Sequence, residues 1–292
     1  MFKNFIFISL FLVPYLTTAQ SHRSNKKVSI AKGTLFGYWG YNRSAYTKSN
    51  MRFVGPGYDF TLSGAVAHDN PSPFDASVYF NPQKITIPQF NARVGYYFKN
   101  HWAISFGYDH MKYIFADKNE VLLSGEINPG VDTETNWEGI YNSEPIITDR
   151  EKFHYENSDG LNYLRFELTR SDNLIRLGQN SQFVVSSNVG VSTGGILSFN
   201  DFTFAGRKDM RTISMSGYGI SVHAGPRLEF FRHVFIQASL GGGFMHQTKV
   251  RTRPNDPTSF ARHSYGYVEF DTTIGFLLYI RSKNGCDDCP VW

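Results

Sequence analysis

Three stretches in the last third of the chain alternate apolar and polar residues with a period of two. From Gly217 to Phe230 one face carries Tyr218, Ile220, Val222, Ala224, Leu228 and Phe230, and the other carries Ser221, His223, Arg227 and Glu229 among glycines. From Val234 to Phe244, Val234, Ile236, Leu240 and Phe244 oppose Gln237, Ser239, Gly241 and Gly243. From Val268 to Ile280, Val268, Phe270, Ile274, Phe276 and Leu278 oppose Glu269, Asp271, Thr273 and Gly275. Successive side chains of a strand point to opposite faces, so such runs predict strands with one apolar and one polar face. The same reading predicts eight strands, over 33–41, 85–98, 102–115, 162–169, 182–197, 213–230, 233–248 and 265–281.

Strand length and turn spacing choose between two all-β architectures. A secreted β-sandwich also alternates, but its strands typically run ~5–6 residues, whereas several of these exceed the ~9–11 that a tilted strand needs to cross a bilayer. Gly and Ser dominate the polar face, as a narrow lumen requires. Connections alternate in length as well: 99–101, 171–181 and 231–232 are short, while 42–84, 116–161, 198–212 and 249–264 are long. Short turns on one side and long loops on the other are the pattern of an antiparallel, transmembrane, up-and-down β-barrel of eight strands, with short periplasmic turns and long outer loops. The stretch 52–67 also reads as strand, but counting it in the wall would put the 99–101 turn on the wrong side. It is therefore expected to be a hairpin within the first outer loop.

The N-terminus reads as an export signal. Lys3 precedes an apolar run from Phe5 to Leu16, and Thr17-Thr18-Ala19 supplies the small residues of a cleavage site. An uncleaved anchor helix is the alternative, but the run is shorter than the roughly 20 residues a spanning helix needs. The expected organisation is a signal peptide over 1–19, a periplasmic leader over 20–32, the barrel over 33–281 and a periplasmic tail over 282–292. Composition agrees with β-structure: 16% of residues are aromatic, with 26 Phe and 17 Tyr, and the 26 Gly disfavour helix. A formal net charge of +4 does not point to nucleic acid, and no such partner is expected. Aromatics flank two tight turns, Tyr96, Tyr97, Phe98 and Trp102 at one and Phe230, Phe231 and Phe235 at the other, where a headgroup girdle is expected.

If the apolar face meets lipid, the other face fills the lumen. Parity places Arg93, Asp109, Arg165, Glu167, His223, Arg227, Glu229, Glu269 and Asp271 there. Eight strands enclose a space just wide enough to be filled by side chains, and enclosed charges need partners. The three arginines are expected to bridge acids on neighbouring strands, with Arg227 and Glu229 beside Glu269 and Asp271. A structural plug is favoured over a proton-handling site or a conducting lumen. The first outer loop is dense in turn residues, and Tyr58, Asp59, His68 and Asp69 on it are candidate binding residues. His68 and Asp69 with Ser72 or Ser77 also supply triad residue types, the basis of an alternative reading as a lipid-modifying enzyme. His110 beside Asp109 is a weaker pair, since parity points the two to opposite faces. Cys286 and Cys289 form a Cys-Asp-Asp-Cys pair for which an oxidising compartment favours a local disulfide; no metal and no cofactor are implied.

At Lys32-Gly33-Thr34-Leu35-Phe36-Gly37-Tyr38-Trp39-Gly40-Tyr41-Asn42-Arg43-Ser44 the chain resembles small outer-membrane β-barrel proteins common in Bacteroidota. The likeness continues through Gly57-Tyr58-Asp59-Phe60-Thr61-Leu62, Pro71-Ser72-Pro73-Phe74, Ile87-Pro88-Gln89-Phe90 and Gly95-Tyr96-Tyr97-Phe98, and more weakly over 105–113. It implies an outer-membrane location and a small barrel, and it carries over no catalytic residues. The expected function is an integral outer-membrane barrel with a structural, binding or accessory-subunit role in the cell envelope, without catalysis. Its expected partners are outer-membrane lipid, lipopolysaccharide and other envelope proteins. A narrow channel is the other alternative.

Overall fold

The computed structural model describes residues 29–79, 81, 83–84, 88–178 and 181–280. The expected signal peptide, most of the leader, and the tail with Cys286 and Cys289 lie outside the described residues. In chain order the elements are β1 (Thr34–Tyr46), β2 (Ser49–Gly55), β3 (Tyr58–Ala65), β4 (Ala67–His68), α1 (Ala76–Tyr79), β5 (Phe90–Lys99), β6 (Trp102–Phe115), β7 (Glu120–Ile127), β8 (Gly139–Ile147), β9 (His154–Leu177), β10 (Phe183–Phe204), β11 (Arg207–Phe230), β12 (Val234–Arg251) and β13 (Phe260–Tyr279).

Eight of these strands close a ring in the order β1-β5-β6-β9-β10-β11-β12-β13, with β13 returning to β1. The closing ladder is antiparallel and unbroken from Thr34↔Tyr279 to Tyr46↔Tyr267. All eight ring strands coincide with stretches where the sequence alternates, and the 52–67 segment forms the β2–β3 hairpin outside the ring. Closure leaves no unpaired edge, which is what lets strands cross a bilayer.

Each ring strand turns large apolar side chains outward. Val94, Phe166, Val222, Leu240 and Ile274, from β5, β9, β11, β12 and β13, each keep between 58% and 65% of their surface exposed. In water so large an apolar patch is a liability; as a belt around a ring it is a lipid-facing surface. No helix among the described residues is long and apolar enough to cross a membrane.

Three strands run much further than their alternation suggests. β9 has 24 residues rather than the eight of 162–169, and β10 and β11 extend through the expected outer loop 198–212 to a two-residue turn at Ala205 and Gly206. Both turn residues have positive φ, 54° and 69°, the geometry of a tight hairpin whose twist matches its strands. At about 3.3 Å per residue β9 is roughly 80 Å long, against a hydrocarbon core of ~30 Å. Even when tilted, the wall therefore rises well above the belt.

The surplus wall becomes part of a folded outer head. Beyond Tyr267 the outer end of β13 leaves β1 and pairs instead with β2, through Arg262↔Arg52 and Phe260↔Val54. The sheet then continues β2-β3-β7-β8. β7 and β8, in the expected loop 116–161, form a second hairpin that alternation does not mark. Inside the head the polarity of the wall reverses. Phe53, Phe60, Phe115, Phe153, Tyr155, Phe202 and Phe204 are buried inward, in one cluster that also takes in Trp137 and Tyr265. From the first loop, α1 lies against the outside of the wall, where Tyr79 packs on Tyr41 with ring centroids 4.7 Å apart.

Candidate functional site

The lumen is filled in layers from the periplasmic end upward. The floor is apolar: Ile30, Phe36, Tyr97, Phe235 and Leu277 are buried together. This corrects the girdle reading for Tyr97 and Phe235, which point inward, while Phe98 and Phe231 remain exposed. Residue parity, and not proximity to a turn, decides which ring meets the headgroups. Arg227 lies in this floor with its guanidinium 4.3 Å from the Phe235 ring centroid and 5.4 Å from that of Phe36. It donates to Tyr97 Oη at 3.1 Å and to Gln237 Oε1 at 3.0 Å.

Above the floor is the charged layer. Arg93 on β5 meets Asp109 on β6 at 3.0 Å and Glu167 on β9 at 3.3 Å. Arg165 on β9 meets Asp109 at 3.0 Å and reaches Glu167 and, across the lumen, Glu269 on β13, each at 3.7 Å. His223 lies 3.3 Å from Glu167, which also accepts from Thr169 at 2.8 Å. All of these side chains are buried. Gly107 makes the arrangement fit, since a Cβ there would fall 1.8 Å from an Arg93 nitrogen. The expected ladder of Arg227 and Glu229 beside Glu269 and Asp271 does not form. The register pairs Arg227 with Gln237 and Glu229 with Phe235, while Glu269 pairs with Gly241 and Ser44. The two pairs therefore sit at different heights, and Glu229 accepts from Ser186 instead, at 3.4 Å.

A layer of amides closes the top of the charged zone. Asn157 donates to Asn200 at 3.0 Å, and Gln247 donates to Ser198 at 2.7 Å and to Asn157 at 3.2 Å. His263 meets Gln247 Oε1 at 2.5 Å. The aromatic interior of the head sits directly above, so a continuous stack of side chains occupies the barrel from floor to apex.

The candidate loop residues separate in space. Tyr58 is buried in the head, its ring packed on Phe204 at 5.2 Å between centroids as part of the core. Asp59 faces outward and is held by Arg52 at 2.5 Å, which keeps its carboxyl below the ordinary range. His68 turns its Nδ1 to the Asp69 backbone carbonyl at 2.8 Å, while the Asp69 carboxylate accepts from the Ser44 and Asn70 amides. Ser72 offers its carbonyl to Tyr79, and the Ser77 amide bonds Asp75. No nucleophile–His–Asp relay is assembled from these residues. Asp109 and His110 likewise part: Asp109 joins the lumenal arginines, and His110 bonds Asn162 at 2.8 Å.

A pH-dependent clamp ties the head together. Glu156 accepts from His154 Nε2 at 2.7 Å and from Ser158 Oγ at 2.7 Å, and Arg150 lies at 3.2 Å. His154 first, and then Ser158 and Arg150, outweigh burial and hold the Glu156 carboxyl at about 2, against an ordinary 4.5. A depressed carboxylate contributes stability above its unfolded value and loses it as pH falls toward its folded one. The head of Glu156→Gln is therefore expected to be cut by pepsin faster than the wild type near pH 4.5. The difference should close as pH is lowered toward 2.

Ring, belt and filled lumen together define a membrane-spanning, eight-stranded β-barrel that carries a folded outer head. No protein-family model matches the chain, and no curated protein matches it. Among solved structures it is similar to the outer membrane protein OprG from Pseudomonas aeruginosa, with 10% identity and a TM-score of 0.38 over 87% of this chain and 100% of that one. It is also similar to Neisserial surface protein A, with 8% identity and a TM-score of 0.34 over 84% of this chain and 97% of that one. A third similarity is to Ail, the attachment invasion locus protein of Yersinia pestis, with 11% identity and a TM-score of 0.31 over 85% of this chain and 99% of that one.

Proposed function

We propose that this is an outer-membrane protein of the Bacteroidota-type small-barrel kind whose work is done outside the bilayer. The barrel is a plugged, non-conducting pedestal, and the head is a rigid platform that docks another envelope component, making the protein an accessory subunit. One observation carries this reading: the head has its own aromatic core, in which Phe53 stacks on Phe202 at 5.3 Å and on Phe60 at 5.3 Å. A loop that only seals a pore needs no such core, whereas a binding platform gains from being preorganised. The layered lumen argues in the same direction, because a conducting path would have to displace buried ion pairs.

Isolation from native membranes in mild detergent tests the docking role. The protein is expected to co-purify in fixed stoichiometry with other envelope proteins, and recovery solely as a free monomer would contradict it. Planar-bilayer recordings of the purified chain are expected to show no discrete conductance steps. Reproducible steps would revive the channel reading.

A further inference from the structure

Four outer connections converge at the tip of the head around a pocket of about 240 Å³. The β2–β3 turn supplies Tyr58, the β7–β8 loop Val131, the β10–β11 turn Arg207 and the β12–β13 loop Arg253. Arg253 and Tyr58 expose only 5% and 7% of their surface. An arginine so buried normally faces a carboxylate, because an unpaired buried charge is strongly destabilising. Arg253 instead donates to two backbone carbonyls, Thr252 at 3.3 Å and Phe204 at 2.9 Å, and rests 4.9 Å from the Phe202 ring centroid. Burial first, and with it the nearby charge of Arg207, act against its protonated form and outweigh the favourable influence of Tyr58 and of Asp256.

No carboxylate is within ion-pair distance of Arg253 or Arg207 among the described residues. The one acid on the wall of the pocket, Asp256, is already engaged. It accepts from the Thr258 amide at 2.9 Å and from the Thr258 and Ser259 hydroxyls at 2.5 Å each. The Tyr58 hydroxyl, on the same wall, has no hydrogen-bond partner. The pocket thus combines two arginines against a single carboxylate whose oxygens are already engaged, a buried unpaired hydroxyl, and apolar sides from Val131, Ala205 and Pro56.

We propose that this apical pocket binds a small molecule bearing an oxyanion, a carboxylate or a phosphate, which Arg207 and Arg253 neutralise while Tyr58 donates its hydroxyl. Guanidinium forks match the planar carboxylate and the phosphate face alike. The volume lies just under the ~300–1,000 Å³ of sites for drug-sized ligands, which suits a sugar acid or a sugar phosphate. The site deepens the reading of the head as a binding platform and gives that platform a ligand chemistry.

The test uses the full chain in detergent micelles, titrated calorimetrically with glucuronate and with inorganic phosphate, and with glucose as the neutral control. At least one anion is expected to bind where glucose does not, and which of them binds separates the carboxylate from the phosphate source. Arg207→Gln, at an exposed position, is expected to weaken binding about tenfold, as loss of a charge-assisted hydrogen bond does. Tyr58→Phe is expected to weaken it several-fold. Arg211→Gln is expected to leave binding unchanged, since Arg211 pairs with Asp159 and Asp201 away from the pocket. Heat-modifiable gel mobility verifies that each variant keeps its barrel. Binding of neither anion above glucose overturns the proposal, as does an equal loss in Arg207→Gln and Arg211→Gln. Either result, with the envelope complex still recovered intact, would leave the docking role standing.

Discussion

Arg165→Leu is expected to destabilise the barrel by about 3–5 kcal/mol, the usual cost of removing one partner from a buried charge cluster. Arg165 is the hub of the lumen. It meets Asp109 at 3.0 Å and lies 3.7 Å from both Glu167 and Glu269. Without it, Asp109 and Glu167 keep only Arg93 as an arginine partner, and Glu269 loses its arginine contact altogether. The hydrophobic gain from an added leucine is at most ~1.5–3 kcal/mol even for full burial, and the polar lumen offers little apolar surface to realise it, so the electrostatic loss prevails. Unfolding midpoints in lipid vesicles, followed by gel mobility, measure the effect. Adding Glu269→Gln is expected to recover part of the loss, because it removes the acid left without its arginine. A midpoint for Arg165→Leu equal to wild type would mean that the charged layer is not a structural plug.

A second large effect is expected in the head. Phe53 on β2 lies at the centre of its core, between 5.2 and 5.9 Å by ring centroid from Phe60, Phe153, Tyr155 and Phe202. Phe53→Ala removes these contacts and leaves a cavity in an interior closed on all sides, at a cost of about 3–5 kcal/mol. The backbone of the β2–β3–β7–β8 extension is joined to the ring through the short ladder of β2 on β13. The loss should therefore fall on the head and not on the wall, as local stability differs between cooperative units. Limited proteolysis is expected to nick the variant within 49–65 or 116–153 while its barrel stays heat-modifiable. Loss of the barrel along with the head would mean that the two fold as one unit.

The contrast between these regions explains how much could be read beforehand. All eight ring strands were legible because lipid outside and charge inside give alternation its greatest contrast, as in Val222-His223-Ala224 or Val268-Glu269-Phe270. The β2–β3 hairpin was legible through turn-side bookkeeping. The head was not, because its interior is apolar and its exterior mixed. Along β10 the inward face changes from Ser198 and Asn200 to Phe202 and Phe204 while the outward face changes from Leu197 and Phe199 to Asp201 and Thr203, so the alternation inverts its phase in mid-strand and a continuous strand reads as a loop. In β7, Leu122 faces out between the inward Val121 and Leu123, and a run of three apolar residues carries no period. Parity placed the charged residues on the lumenal face, but no parity rule gives height. Height is what keeps the Arg227–Glu229 pair apart from Glu269 and Asp271 on the same lumenal face. Arg253 left a signal of a kind, a cation flanked by Thr252 and Pro254 within an outer loop, but its burial depends on four turns distant in sequence coming together.

The wall reverses its polarity with height, in lipid below and in water above. Spin-label accessibility in lipid vesicles tests it most directly, with Cys286 and Cys289 replaced by serine and single labels at Val222→Cys, Leu240→Cys, Phe270→Cys, Thr61→Cys and Lys208→Cys. Labels at 222, 240 and 270 are expected to be relaxed strongly by oxygen and weakly by a water-soluble nickel chelate, and labels at 61 and 208 the reverse. Chelate-accessible labels at 222, 240 and 270 would contradict the barrel, and oxygen-dominated relaxation at 61 and 208 would contradict the head.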